Sequence, residues 1–311
     1  DTLVILTPAI PADHKEWAWL REKGFHIEKR SQILGHISEG KLCMAVAGTH
    51  GKTTTSTLAA WLNHAAAKEG SAILGGVSRN FNSNLSLGEG KRLVVEADEY
   101  DRSFLRLHPN VAVITAADAD HLDIYGTAEA VTEAFEEFAS QIKEGGALIL
   151  KQGVQLKFDT AERKLYRYSC SEGGDFHAEN IRIGNGTILF DYISPWQRID
   201  DVELGVPVSI NIDNGIASMA MAEICGATAE EMKAGMKSFA GADRRFDFHI
   251  KEEGLVLISD YAHHPDEVRA CAKSIKELYG DKKVTVLFQP HLFSRTADFY
   301  KEFAEALSLL D

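Results

Sequence analysis

Between an apolar run and a helical pattern the chain carries one tight turn, GTHGKT, residues 48–53, and that junction leaves few architectures open. The run before it, residues 42–47 (LCMAVA), is short, continuously apolar and bounded by glycine. It reads as a strand buried on both faces rather than as a helix. Residues 53–68 have helical spacing, with Gly70 as a C-terminal stop. A strand passing directly into a helix is half of a crossover unit, and crossovers join parallel strands. A parallel sheet covered by helices is therefore expected.

The turn also has a chemical meaning. N–H groups at a helix start have no intrahelical partner, and the helix dipole favours an anion there. Gly48 and Gly51 let the backbone come close to phosphate oxygens, and Thr49, His50 and Thr54 complete the loop. Lys52 can reach the β- and γ-phosphates of a nucleotide, and the Thr53 hydroxyl can ligate Mg²⁺. The full phosphate-loop pattern G-x-x-x-x-G-K-[ST] requires glycine at position 46, where this chain has Val46. A glycine turn with a solvated lysine is the plainer reading. The strand before, the helix after, and the Lys-Thr pair in register favour the nucleotide site.

The alternation continues. A strand at 2–7 and a helix at 13–23 precede the loop; strands at 92–96 and 111–115, a helix at 127–143 and a strand at 147–150 follow it. Residues 164–193 read as several short strands, an antiparallel appendage with Gly184-Asn185-Gly186 as a hairpin signal. Helical patterns return at 214–224 and 229–239. After a boundary within 239–249, strand (255–259), helix (265–278), strand (283–288) and helix (296–309) start a second α/β unit. No internal repeat or low-complexity tract is present.

Acidic residues stand where metal ligands would be needed. In an open parallel sheet, ligands gather beyond the carboxyl ends of the strands. Glu96 ends the strand at 92–96, with Asp98, Glu99 and Asp101 behind it; for Glu99 and Asp101 a solvated helix N-terminus is the preferred reading. Asp118, Asp120, His121 and Asp123 end the next strand. A lone histidine is usually structural, but this one follows a strand of the same sheet among carboxylates, so a metal or phosphate role is assigned to it. Thr53, Glu96 and His121 would then converge from consecutive strands.

With 311 residues, 45% hydrophobic and 25% charged, the chain has material for about two domains, or three. A net charge of −13 argues against a general nucleic-acid binder. Cys43, Cys170, Cys225 and Cys271 form neither a zinc pattern nor a disulfide framework, which suits a reducing cytoplasm. No apolar run is long enough for membrane insertion. The chain starts without Met on a strand and stops in an amphipathic helix, so a fragment of a longer protein is expected. Oligomeric state is not legible.

Seven blocks in order, GTHGKTTT, EADEYDRSFL, DADHLDIYG, NIDNGIASMA, RRFDFH, SDYAHHPDEV and FQPHLFSRT, resemble the Mur ligase family over nearly the whole chain. The resemblance implies an α/β fold: a central P-loop-type parallel sheet domain with an antiparallel appendage (39–243), a remnant of an N-terminal UDP-sugar-binding domain (1–38) and a partial C-terminal Rossmann-like domain (244–311). It implies ATP-driven formation of a carbon–nitrogen bond through an acyl phosphate, with UDP-N-acetylmuramate and L-alanine as substrates and Mg²⁺, or Mn²⁺, as cofactor. By resemblance Lys52 clamps the phosphates, Thr53 and Glu96 hold one metal ion, and His121 helps hold a second.

Adenine is expected near Asn211 and Asn214, since an asparagine amide both donates to and accepts from a base edge; an N-cap pair before a helix at Gly215 is the alternative. Arg245 resembles a linker arginine that reaches the nucleotide. Asp260, Tyr261, His263, His264, His291 and Arg295 are expected around the muramoyl carboxylate and L-alanine, and Ser83 and Asn84 near the sugar nucleotide. Core and helix-cap positions are the bland reading of His263 and His264. The family pattern has His where Ile210 stands and Arg where Leu292 stands. Three other functions stay open on the residues: a ligase taking a recycled tripeptide, a nucleotide-binding switch, and a non-catalytic sugar-nucleotide module.

Overall fold

The computed structural model describes residues 2–7, 10–11, 13–67, 69–118, 122–171, 173–184, 186–280, 282–290 and 293–311. The chain begins with β1 (Leu3–Leu6), α1 (Lys15–Glu22), β2 (His26–Lys29) and α2 (Arg30–Ser38), with β1 and β2 paired in parallel. There follow β3 (Leu42–Ala47), α3 (Lys52–Ala65), β4 (Gly70–Ser78), β5 (Ser83–Ser86), β6 (Arg92–Glu96), a kinked 3₁₀ segment (Tyr100–Arg106), β7 (Val111–Ile114), α4 (Leu122–Tyr125), α5 (Ala128–Ser140) and β8 (Ala147–Lys151). Next come β9 (Lys164–Ser169), β10 (Phe176–Gly184), β11 (Thr187–Ile193), β12 (Arg198–Glu203), α6 (Ile210–Ile224) and α7 (Ala229–Ser238). The last elements are β13 (Asp247–Lys251), β14 (Val256–Ser259), α8 (Pro265–Tyr279) and α9 (Phe293–Leu307).

Side chains alternate across a strand, so a fully apolar strand must feed two cores. In β3, Met44 and Val46 enter the core shared with α3, α6 and α7. Cys43, Ala45 and Ala47 enter the core shared with α5 and the 3₁₀ segment. The main sheet is thus the middle of three layers, with β3 feeding the cores on both its faces. Helix α5 shows the matching helical pattern: Val131, Ala134, Phe135, Phe138 and Ala139 form one buried face, and the Thr127 hydroxyl caps its start by accepting from Ala130 N–H at 3.2 Å. Such a cap stabilises by about 1 kcal/mol.

The main sheet runs β12-β11-β10-β9-β8-β7-β3-β6-β4-β5. From β10 to β4 every pairing is parallel, while β5 at one edge and β11 and β12 at the other run antiparallel. The chain leaves β3 towards β4 on one side and later fills β7 on the other, which puts the strand-order reversal at β3. A ligand crevice belongs at such a point.

Several expectations change. β9 is parallel to β8, so the antiparallel part is continuous with the central sheet and confined to β10–β12. No helix covers this crossover; Val154, Leu156 and Phe158 of the connection pack on the core instead. The hairpin pairs up to Gly184 and Thr187, with Asn185 outside the described residues. The strand expected at 283–288 does not form, because no described strand lies alongside it to complete a ladder. β14 pairs antiparallel with β13 instead. β2, α2, β4, β5, β12 and β13 had no counterpart in the sequence reading.

Candidate active site

Gly48 and Gly51 have φ of 135° and 79°. A Cβ at Gly48 would lie 2.1 Å from Thr115 Oγ1 and 2.8 Å from the Ala116 backbone nitrogen. The loop is therefore pressed against the end of β7, where Thr49 N–H donates to Ala116 O at 3.2 Å and the Thr115 hydroxyl donates to His50 O. Gly48→Ala should cost about 1–3 kcal/mol, because φ and space are both wrong for a side chain; a denaturant titration equal to that of the parent would contradict this packing.

Helix α3 starts at Lys52 with Gly51 as N-cap and no side-chain cap, and Lys52, Thr53 and Thr54 of its first turn line a cavity. Lys52 Nζ donates to Gly48 O at 2.7 Å and to Glu99 Oε1 at 2.8 Å. Glu99 is only 1% exposed, and burial raises its pKa against the opposing pull of Lys52. The expected solvated helix N-terminus is thus wrong for Glu99. A kink with Asp101 and Arg102 both at φ 53° follows it, and the Tyr125 hydroxyl donates to Glu99 O at 2.6 Å. Asp101 instead pairs with Lys29 at 2.7 Å.

Thr53 Oγ1 donates to Glu96 Oε1 at 3.1 Å. Glu96 Oε2 accepts from Ser56 Oγ at 3.2 Å and from Gly75 N–H at 2.9 Å. Two hard oxygen donors from α3 and β6 thus face each other beside the phosphate loop, a donor set suited to Mg²⁺. His121 lies outside the described residues, as does His291; Arg295 belongs to α9, but its side chain is outside them too.

Asn211 and Asn214 lie within the first turns of α6, whose N-cap is Ser209, so the alternative of a cap pair before Gly215 does not form. Asn214 Oδ1 accepts from Thr55 Oγ1 at 3.2 Å, and Asn214 Nδ2 donates to Asn211 Oδ1 at 3.0 Å. Ser218 Oγ donates to Thr55 O at 3.0 Å. These bonds tie α6 to α3. A cleft of about 180 Å³ runs from Gly51 and Thr54 past Asn211 and Asn214 to Arg245 and Asp260. A wider one of about 590 Å³ lies on the other side of Asn214, walled by Lys151, Tyr168 and Asp213. Lys151 and Asp213 form an ion pair of 2.5 Å that the sequence reading missed. Ile210 lines both clefts and is 56% exposed, an apolar surface where the family pattern has His.

Arg245 lines a cavity of about 130 Å³ together with residues 49–54 and Glu267. Its guanidinium stands 5.7 Å from the centre of the Tyr261 ring. Asp260 accepts from Phe246 N–H and Ala262 N–H, both at 2.7 Å, and its pKa is raised by burial. His263 N–H donates to Glu267 Oε2 at 2.9 Å, and the His264 ring caps α8 by accepting from Asp266 N–H at 3.4 Å. Ser83 pairs with Ser78 across β4 and β5, and the exposed Asn84 follows; both stand two strands away from Glu96.

Residues 46–222 match the family model for the Mur ligase middle domain, and residues 244–311 that for the Mur ligase, glutamate ligase domain. A UDP-N-acetylmuramate–L-alanine ligase of Phocaeicola vulgatus is 56% identical across 100% of this chain and 68% of its own length. One from Porphyromonas gingivalis is 48% identical across 100% of this chain and 69% of its own. The crystal structure of the UDP-N-acetylmuramate–alanine ligase MurC from Thermotoga maritima superposes with a TM-score of 0.86 at 28% identity, covering 99% of this chain and 70% of that one. The MurF ligase of Thermotoga maritima, solved in complex with ADP, shares the fold with a TM-score of 0.70 at 17% identity, covering 99% of this chain and 79% of that one.

Proposed function

The chain belongs to the Mur ligase family, and from that membership we propose that it joins L-alanine to the lactyl carboxylate of UDP-N-acetylmuramate at the expense of ATP, a step of peptidoglycan synthesis. The two relatives at 56% and 48% identity carry this activity in their names, which favours it over the tripeptide ligase, the switch and the sugar-nucleotide module.

The observation that carries the mechanism is the Thr53–Glu96 pair set beside Lys52 at the start of α3. A carboxylate is a poor acyl donor, so its oxygen first attacks the γ-phosphorus of ATP; ADP leaves and an acyl phosphate remains. The amine of L-alanine attacks the acyl carbon, and phosphate departs. The first step brings two anions together, so fixed positive charge has to offset their repulsion. Lys52, aimed by Glu99, would hold the phosphates from the loop side, and Arg245 would face them across the cleft. Thr53 and Glu96 would hold Mg²⁺, or Mn²⁺, with His121 near a second ion; the metal supplies charge screening at the transferring group. Asn211 and Asn214 would take the adenine edge. Asp260, Tyr261, His263, His264, His291 and Arg295 would surround the carboxylate and L-alanine, with Ser83 and Asn84 towards the sugar nucleotide. The division into 1–38, 39–243 and 244–311 belongs to the same reading. So does a cytoplasmic location; among the described residues no helix is long and apolar enough to cross a membrane.

In the intact enzyme, phosphate release should require ATP, Mg²⁺, UDP-N-acetylmuramate and L-alanine together. Equal turnover without L-alanine, or a preference for a tripeptide as acceptor, would overturn the assignment.

A further inference from the structure

We propose that Arg79 is a positioning residue for phosphoryl transfer: it fixes the interdomain turn in the conformation that presents Arg245 to the phosphate loop. The proposal rests on the reading of Arg245 given above. Arg245 sits between two residues in the left-handed region, Arg244 at φ 59° and Phe246 at φ 48°. Non-glycine residues adopt that region at a cost and persist there only when neighbours hold them. Phe246 N–H is held by Asp260 at 2.7 Å.

The other anchor is Asp247, 5% exposed, gripped two-pronged by Arg79: Nη2 to Oδ2 at 2.5 Å and Nε to Oδ1 at 3.1 Å. Arg79 Nε also stands 2.9 Å from Asp243 Oδ1, so one guanidinium binds carboxylates on both sides of Arg245. The backbone adds to this, with Arg79 N–H donating to Gly241 O and Asp243 N–H to Val77 O. A planar, two-pronged donor fixes orientation as well as distance, which an ammonium cannot do. Arg79 follows directly on β4, the strand whose Gly75 N–H holds Glu96. One strand therefore sets both the metal-side carboxylate and the turn bearing the cation.

The test is a double-mutant cycle in the intact enzyme, with Arg79→Ala, Arg245→Ala and the pair together, reading kcat, the KM for ATP and thermal melting. Arg245→Ala should lower kcat about 10²-fold or more. Arg79→Ala should lower it roughly tenfold with KM for ATP little changed, and should have less than about a twofold effect once Arg245 is gone. If Arg79→Ala does not fold, Arg79→Lys carries the same cycle: it leaves a cation for Asp247 but no fork. Losses that multiply, in the presence of a damaging Arg245→Ala, overturn the positioning role alone, as does parental kcat in Arg79→Lys. A silent Arg245→Ala overturns the reading of Arg245 and this proposal with it.

Discussion

Lys52→Ala is expected to lower turnover at least about 10³-fold, because on the proposed mechanism it removes the charge that would meet the phosphates where the transition state needs it. The change also reaches stability, which the sequence did not suggest: a solvated loop lysine would leave the fold untouched, whereas this one partners the buried Glu99. Lys52 is the group that opposes burial at Glu99, so its loss raises that pKa further. A carboxyl whose folded pKa lies above its unfolded value of 4.5 contributes full stability below that value and loses it as pH rises through the folded pKa. The melting gap between parent and Lys52→Ala should therefore be small in acid and widen towards neutral pH. Adding Glu99→Gln should flatten it. A gap that does not change with pH would separate Glu99 from the lysine energetically.

Gly75→Ala is expected to cut kcat about 10²-fold, comparable to removing Glu96, while leaving melting nearly parental. A Cβ at Gly75 would lie 2.2 Å from Glu96 Oε1 and 2.5 Å from Oε2. The obstructed group is the far end of a flexible side chain, so Glu96 can swing away at little cost to the fold. The swing breaks its contact with Thr53, so the Mg²⁺ dependence of turnover should shift to higher concentration. Parental activity and an unchanged Mg²⁺ titration would show that the carboxylate is not needed where the structure puts it.

The parts that were legible in the sequence are local ones. The loop, β3 and α3 follow from a short apolar run, two glycines and a helical pattern, and the Thr53–Glu96 meeting follows from the rule that neighbouring parallel strands end on the same side. Glu99 was hidden because a carboxylate in an acidic run reads as solvated, whereas here it is buried against Lys52. β4, GSAILGGVS, was hidden because glycine weakens strand propensity; its pairing with β6 outweighs that, and Gly75 and Gly76 leave room for Glu96 and Thr53. Residues 283–288 carry strand-like chemistry, yet a strand needs a neighbour, and sequence pattern does not report one. The linkage of Arg79 to Asp243 and Asp247 joins residues far apart in the chain, beyond the range of any periodicity.

The hydroxyls of Thr55 and Ser218 and the amide of Asn214 stitch two helices together within the buried layer. On the proposed reading, one helix begins where the triphosphate would lie and the other where the nucleobase would lie. Their spacing would then be a fixed gauge, against which a nucleotide is measured for length. The opposite wall, α8 and the turn around Arg245, is held by separate anchors, Arg79 on Asp247 and Asp260 on the Phe246 N–H.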